Sequence, residues 1–181
     1  TPDAGTLICT LKACSCTRSI GKGQEIHVEI VRKGLEMEPS VGNILVDMYG
    51  KSGLLFEAQE IFNKLSIRNV VSWTALLVGY FEHGCSEEAL YCFEEMQQDG
   101  VYPDVVVWNS MILSYAEVDC EKALKLYGQL QEQGVLPDSR IFVSTLKACG
   151  DAVALETGKK FHSMINRIIS ETSEVVLTNA L

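Results

Sequence analysis

Apolar positions along this chain recur at helical spacing. In the stretch Val70 to Asp104, VVSWTALLVGYFEHGCSEEALYCFEEMQQDGVYPD, the pattern predicts two amphipathic helices joined by a tight turn. In the second helix Ala89, Phe93 and Met96 stand at i, i+4 and i+7, which puts them on one face. The same face reads Ala58, Phe62, Leu65 upstream and Ala123, Tyr127, Leu130 downstream. The small residue lets helices approach closely, and the larger ones fill the gap between neighbouring pairs. One helical pair cannot cover both of its apolar faces, so such pairs must stack. Stop signals follow the same period: Gly100 then Pro103, and Gly134 then Pro137, placed as a Gly helix cap with a Pro beyond it. Ser86, followed by Glu87 and Glu88, is the expected N-cap of a helix with acids in its first turn.

The outer segments carry a variant of the unit. Both contain T-L-K-A-C, at Thr10 to Cys14 and at Thr145 to Cys149. Their second-helix faces read Gly23, His27, Ile30 and Gly158, His162, Ile165. The period divides the chain into residues 4–38, 39–69, 70–104, 105–138 and 139–174, with lengths of 35, 31, 35, 34 and 36. The fourth unit is a residue short near Val118 to Cys120, and residues 175–181 open a further unit. Repetition at this length replaces the expectation of one compact domain with that of a stack.

Composition refines the picture in three ways. Hydrophobic residues make up 47% of the 181 positions, enough for a continuous core, and no apolar run approaches the ~18 residues of a membrane span. The seven cysteines are scattered without C-x-x-C spacing, which reads as reduced, small apolar packing residues. A net charge of −9 argues against nonspecific nucleic-acid binding by the whole surface and leaves a local groove open. The chain opens without Met and stops at Leu181 inside a unit, so it reads as a piece of a longer protein.

Two helical-pair families share this period, the tetratricopeptide and the pentatricopeptide repeats. The A-x-x-x-F element at Ala89 to Phe93 fits both. V-V-S-W-T-A-L at Val70 to Leu76, V-V-V-W-N-S-M at Val105 to Met111 and V-G-N-I-L-V-D-M-Y-G-K-S-G at Val41 to Gly53 resemble the pentatricopeptide repeat family, as does G-V-x-P-D closing two units. The alternation of unit lengths is similar to its plant PLS subclass. Residues 4–38 and 139–174 resemble L-type units, residues 39–69 an S-type unit, and the two between resemble P-type units. Two P-type units in succession depart from the subclass pattern.

The resemblance implies an all-α fold, a right-handed superhelical solenoid of helix-turn-helix repeats like that of tetratricopeptide proteins. It also implies binding of single-stranded organellar RNA, one base per repeat. The fifth and last residues of a unit then contact the base edge, and the second wedges between bases. Carried onto this chain, the reading pairs are Asn43 with Asn69, Thr74 with Asp104, and Asn109 with Asp138; Ser40, Val71 and Val106 are the wedges. An ionised Asp only accepts hydrogen bonds, whereas an Asn amide does both. Guanine and uracil carry a ring N–H on the pairing edge, where cytosine and adenine carry an acceptor. With the family's code and its parallel polarity, the three central units read 5′-[C/U]-G-U-3′. The L-type units give the poorer pairs Ile8 with Glu38 and Val143 with Glu174, which would space the RNA rather than read it. Asn179 would be a reader whose partner lies past Leu181.

Related proteins act on mitochondrial or chloroplast transcripts, most often as the specificity part of RNA editing, with editing-complex proteins as further partners. No cofactor, metal, small-molecule substrate or membrane is expected, and any deaminase would belong to another domain or a recruited partner. The runner-up is a tetratricopeptide-type scaffold for protein partners, which the acidic charge fits. Other motifs read more simply as structure. His27-Val28-Glu29 has the H-x-E form of zinc deaminases but no P-C-x-x-C follows. His27 stands where other units carry an aromatic packing residue. Cys14 is repeated by Cys149, with no counterpart for Cys16. Trp73 and Trp108 read as core, Glu87, Glu88, Glu94 and Glu95 as a solvated face, and Ile8 and Val143 as apolar first-helix positions.

Overall fold

The computed structural model describes residues 4–36 and 38–135, together with Lys159, Ser163 and Asn166. The described residues form eight α-helices and no strand: α1 (Ala4–Thr17), α2 (Ile20–Arg32), α3 (Pro39–Lys51), α4 (Leu55–Lys64), α5 (Val70–Glu82), α6 (Ser86–Gln98), α7 (Val105–Val118) and α8 (Cys120–Glu132). The chain divides into two compact units, residues 1–107 and residues 108–181.

In the first unit the odd-numbered helices form one layer, with α3 packed between α1 and α5, and each even-numbered helix lies against its own partner. The face read from the periodicity is the buried one. Ala58, Phe62 and Leu65 are buried in α4 and at its end, and Ala89, Phe93 and Met96 in α6. Phe62 meets Trp73 of the following pair edge-on, with ring centroids 4.5 Å apart. Such a contact adds about 0.5–1.5 kcal/mol to the burial of the rings. In α2, Gly23 leaves the space that the Met48 side chain of α3 fills. In the second unit Ala123, Tyr127 and Leu130 of α8 are buried in the same pattern.

The helix ends follow from local chemistry. Gly100 and Gly134 have φ of +72° and +70°. At the first, Val101 N–H bonds to Met96 O and Gly100 N–H to Gln97 O, which satisfies two carbonyls at the end of α6. The expected N-cap of α6 is shifted by one residue. Cys85 occupies the cap position and makes no side-chain cap bond, while Ser86 is the first helical residue. The preceding turn closes through Cys85 N–H on Tyr80 O, so the chain has already entered the helix at Ser86. In the fourth repeat the missing residue shortens the turn to Asp119, whose carboxylate accepts from Glu121 and Lys122 N–H and so caps α8.

Candidate nucleic-acid interface

The odd-numbered helices of the first unit line a groove of about 520 Å³. Its wall includes Asn43, Thr74 and Asp104 of the expected readers and Val71 and Val106 of the expected wedges. Val71 is 60% exposed and Val106 53%, so both present apolar surface at the groove. Ser40, one residue into α3, is exposed as well.

The residues closing the second and third repeats are also the N-caps of the helices that follow. Asn69 Oδ1 accepts from Val71 N–H at 3.0 Å and Ser72 N–H at 3.1 Å, and Ser72 Oγ accepts in return from Asn69 N–H at 2.9 Å. This reciprocal arrangement satisfies donors that the helix itself leaves open. It also assigns the amide: the oxygen end is held in the cap, and the Nδ2 end is turned away from it. Asp104 Oδ1 likewise accepts from Val107 N–H at 2.9 Å.

The fifth residues are held by short links to these caps or to their own helix. Asn43 Nδ2 donates to Asn69 Oδ1 at 3.4 Å, so the two members of that pair touch. Asn43 is only 9% exposed, and its Oδ1 has no hydrogen-bond partner. Thr74 is half-buried and gives its hydroxyl proton to Val70 O at 2.7 Å, so toward the groove its oxygen can only accept. Asn109, in the second unit, is 7% exposed and its Oδ1 is also unpartnered.

Asp138, Val143, Glu174 and Asn179 lie outside the described residues. Ile8 is half-buried, less so than its neighbours Leu7 and Leu11, which carry the core of α1. Glu38 is exposed at the N-cap of α3 and makes no side-chain cap bond. Trp73 and Trp108 are fully buried, which makes them core residues and removes them as stacking platforms. Glu87, Glu88 and Glu94 are exposed and Glu95 half-buried, a largely solvated face of α6.

His27 packs edge-on against Tyr49, with Nδ1 2.9 Å from Tyr49 Oη and Nε2 3.7 Å from Glu36. Burial lowers its pKa, against the opposing pull of Glu36. Its contacts are those of a packing residue between the first and second repeats. Cys14 is buried in the core of α1, whereas Cys16 is exposed. Among the described residues no group of three His, Cys, Asp or Glu is placed to hold a metal ion, and no helix is long and apolar enough to cross a membrane.

Sequence reasoning passed over two cations of the groove, Lys12 and Lys51. Lys51 is held to Asp47 at 2.8 Å. Asp47 in turn accepts from Ser15 Oγ of α1 at 2.5 Å, which fixes the α1–α3 side of the groove. Lys12 stands four residues after Ile8, so the i, i+4 rule applied to the fifth position would have found it.

Comparison with known proteins places these features in a wider set. The family described as "PPR repeat family" matches residues 68–117, and that described as "PPR repeat" matches residues 43–70 and 106–135. A pentatricopeptide repeat-containing protein of Arabidopsis thaliana is 35% identical over 200 residues, covering 92% of this chain and 29% of the relative. A mitochondrial one from the same plant is 38% identical over 130 residues, covering 71% and 17%. The chloroplastic protein DOT4, also of Arabidopsis thaliana, is 39% identical over 111 residues, covering 61% and 13%. The chain thus spans less than a third of the length of each of these relatives. Among solved structures, the pentatricopeptide repeat protein PPR10 in complex with an 18-nt psaJ RNA element superposes with a TM-score of 0.78 at 24% identity, over 94% of this chain and 26% of that one. The PPR domain of Arabidopsis thaliana protein-only RNase P 1, in complex with tRNA, does so with a TM-score of 0.72 at 16% identity, over 93% and 94%. These two likenesses concern the fold.

Proposed function

We propose that this chain, which belongs to the pentatricopeptide repeat family, binds single-stranded RNA along the groove of its odd-numbered helices and reads one base per repeat. The observation that carries this reading is the double duty of the closing residues. Capping occupies the oxygen end of Asn69 and leaves its amide N–H groups to offer a base, whereas Asp104, on the groove wall, has only acceptors to offer. What each repeat presents is therefore set by the cap it must also form.

The pairs then select bases by complementarity. The linked amides of Asn43 and Asn69 have both an acceptor and a donor to offer, which matches the amino group and ring acceptor of cytosine. Thr74 and Asp104 present acceptors only, which matches the adjacent ring N–H and amino group of guanine. Asn109 paired with Asp138 completes the triplet with uracil, giving 5′-[C/U]-G-U-3′ in the family's parallel polarity. Val71 and Val106, apolar and exposed, are suited to lie against base faces. The segment serves as the specificity part of a longer organellar factor, in mitochondria or chloroplasts, acting in RNA editing or processing. Any catalytic step belongs to another domain or partner.

The test is a fluorescence anisotropy titration with matched and scrambled RNA at several salt concentrations. Matched RNA binds more tightly, and each base-edge match contributes roughly 1–3 kcal/mol, by analogy with DNA readout. Thr74→Asn moves the middle preference from G toward U. An unchanged middle preference refutes the assignment of Thr74, and absence of salt-dependent RNA binding refutes the function.

A further inference from the structure

We infer that Lys12 is a phosphodiester anchor, supplied to the groove by a repeat that does not itself read a base. This rests on the RNA-binding reading above and adds a residue and a role to it. On α1, Ile8, Lys12 and Ser15 stand at i, i+4 and i+7 and so share a face. Ser15 Oγ donates to Asp47 on α3, which turns that face toward the groove, and Lys12 lines the groove together with Asn43 and Thr74.

The charges of the groove decide the role. Four charged side chains line it: Lys12, Asp47, Lys51 and Asp104. Lys51 and Asp47 pair at 2.8 Å, and Asp104 accepts from Val107 N–H at the start of α7. Lys12 is exposed and makes no ion pair among the described residues. In a chain of net charge −9, it is the cation of this wall that is open to a polyanion. An ammonium on a flexible stem is a point charge without the planar fork that suits a base edge, so it matches a group present at every nucleotide. Ile8, the fifth residue of the same repeat, is apolar and cannot compete for a base. The first repeat precedes the one carrying Asn43, so the anchored phosphate lies on the 5′ side of the triplet.

The test compares wild type, Lys12→Ala and Lys12→Arg in the whole chain, by anisotropy between about 50 and 200 mM salt. The RNA carries the triplet with no further nucleotide on its 5′ side, with each of the four bases there, or with an abasic ribose phosphate. For wild type, the added 5′ unit raises affinity equally for all bases and for the abasic form. Lys12→Ala abolishes that gain and lowers the salt slope by ~0.7, so its affinity falls about 2.6-fold less than wild type over this salt range. Its preference within the triplet and its thermal unfolding curve stay unchanged, and Lys12→Arg retains the gain. A wild-type salt slope in Lys12→Ala, or a 5′ gain that depends on the base, overturns the assignment while the triplet reading stands. Wild type that binds none of these RNAs overturns both.

Discussion

Asn69 caps α5, and the reading proposed above gives the same amide a second role that substitution separates from the first. Asn69→Asp keeps an acceptor in the cap of α5 and replaces the amide donor of the proposed reading with an acceptor. Expected is an unchanged melting temperature with a preference moved from C toward U in the first base of the triplet. Asn69→Ala removes the cap as well and lowers stability by about 1 kcal/mol. Circular-dichroism melts alongside RNA titrations check both, and a loss of stability in Asn69→Asp equal to that in Asn69→Ala would refute the capping role. Sequence pattern identified Asn69 and Asp104 through the resemblance alone. That the two residues are helix caps was readable in principle, since each precedes an apolar-periodic helix. The Asn43–Asn69 hydrogen bond was not readable, because it depends on how two successive helices are set side by side.

At the scale of elements, the α3–α5 contact rests on two glycines. A methyl group on Gly79 would stand 2.8 Å from Gly50 Cα, a backbone atom that cannot swing aside. Alanine in a helix interior ordinarily gains about 0.5–1 kcal/mol over glycine, but here the crowding wins. Gly79→Ala is expected to destabilise by about 1–3 kcal/mol. Gly128→Ala in α8, where a methyl group meets nothing within 4 Å, is expected to stabilise by about 0.5–1 kcal/mol. Urea unfolding followed by circular dichroism gives both signs, and a stabilised Gly79→Ala would show that the helices are free to separate. Helical spacing made the helices and their buried faces legible, since Ala58, Phe62, Ala89, Phe93, Ala123 and Tyr127 are all buried. It did not reveal the Gly50–Gly79 crossing, where the residues concerned have no side chain to enter an apolar pattern. It also missed the shift from Ser86 to Cys85 at the cap of α6, because the turn geometry outweighed the preference for a hydroxyl there.

Over the first unit as a whole, one bond reaches further than the stacking pattern requires. Arg18, in the turn after α1 with φ of +52°, donates to Glu82 at the end of α5 at 2.9 Å. The two residues are 64 positions apart, and the bond passes over the 31-residue second repeat. Both ends are partly exposed, so a double-mutant cycle of Arg18→Ala and Glu82→Ala should give a coupling of about 0.2–1 kcal/mol that shrinks with added salt. A coupling of zero at low salt would mean the bond is not maintained in solution. Stacked helical pairs ordinarily feel only their immediate neighbours. A tie between the first and third pairs means that a disturbance confined to either is also sensed two places along. Melting of this stretch should then be less gradual than a string of independent links would give, with the shortest link shielded by the two that flank it.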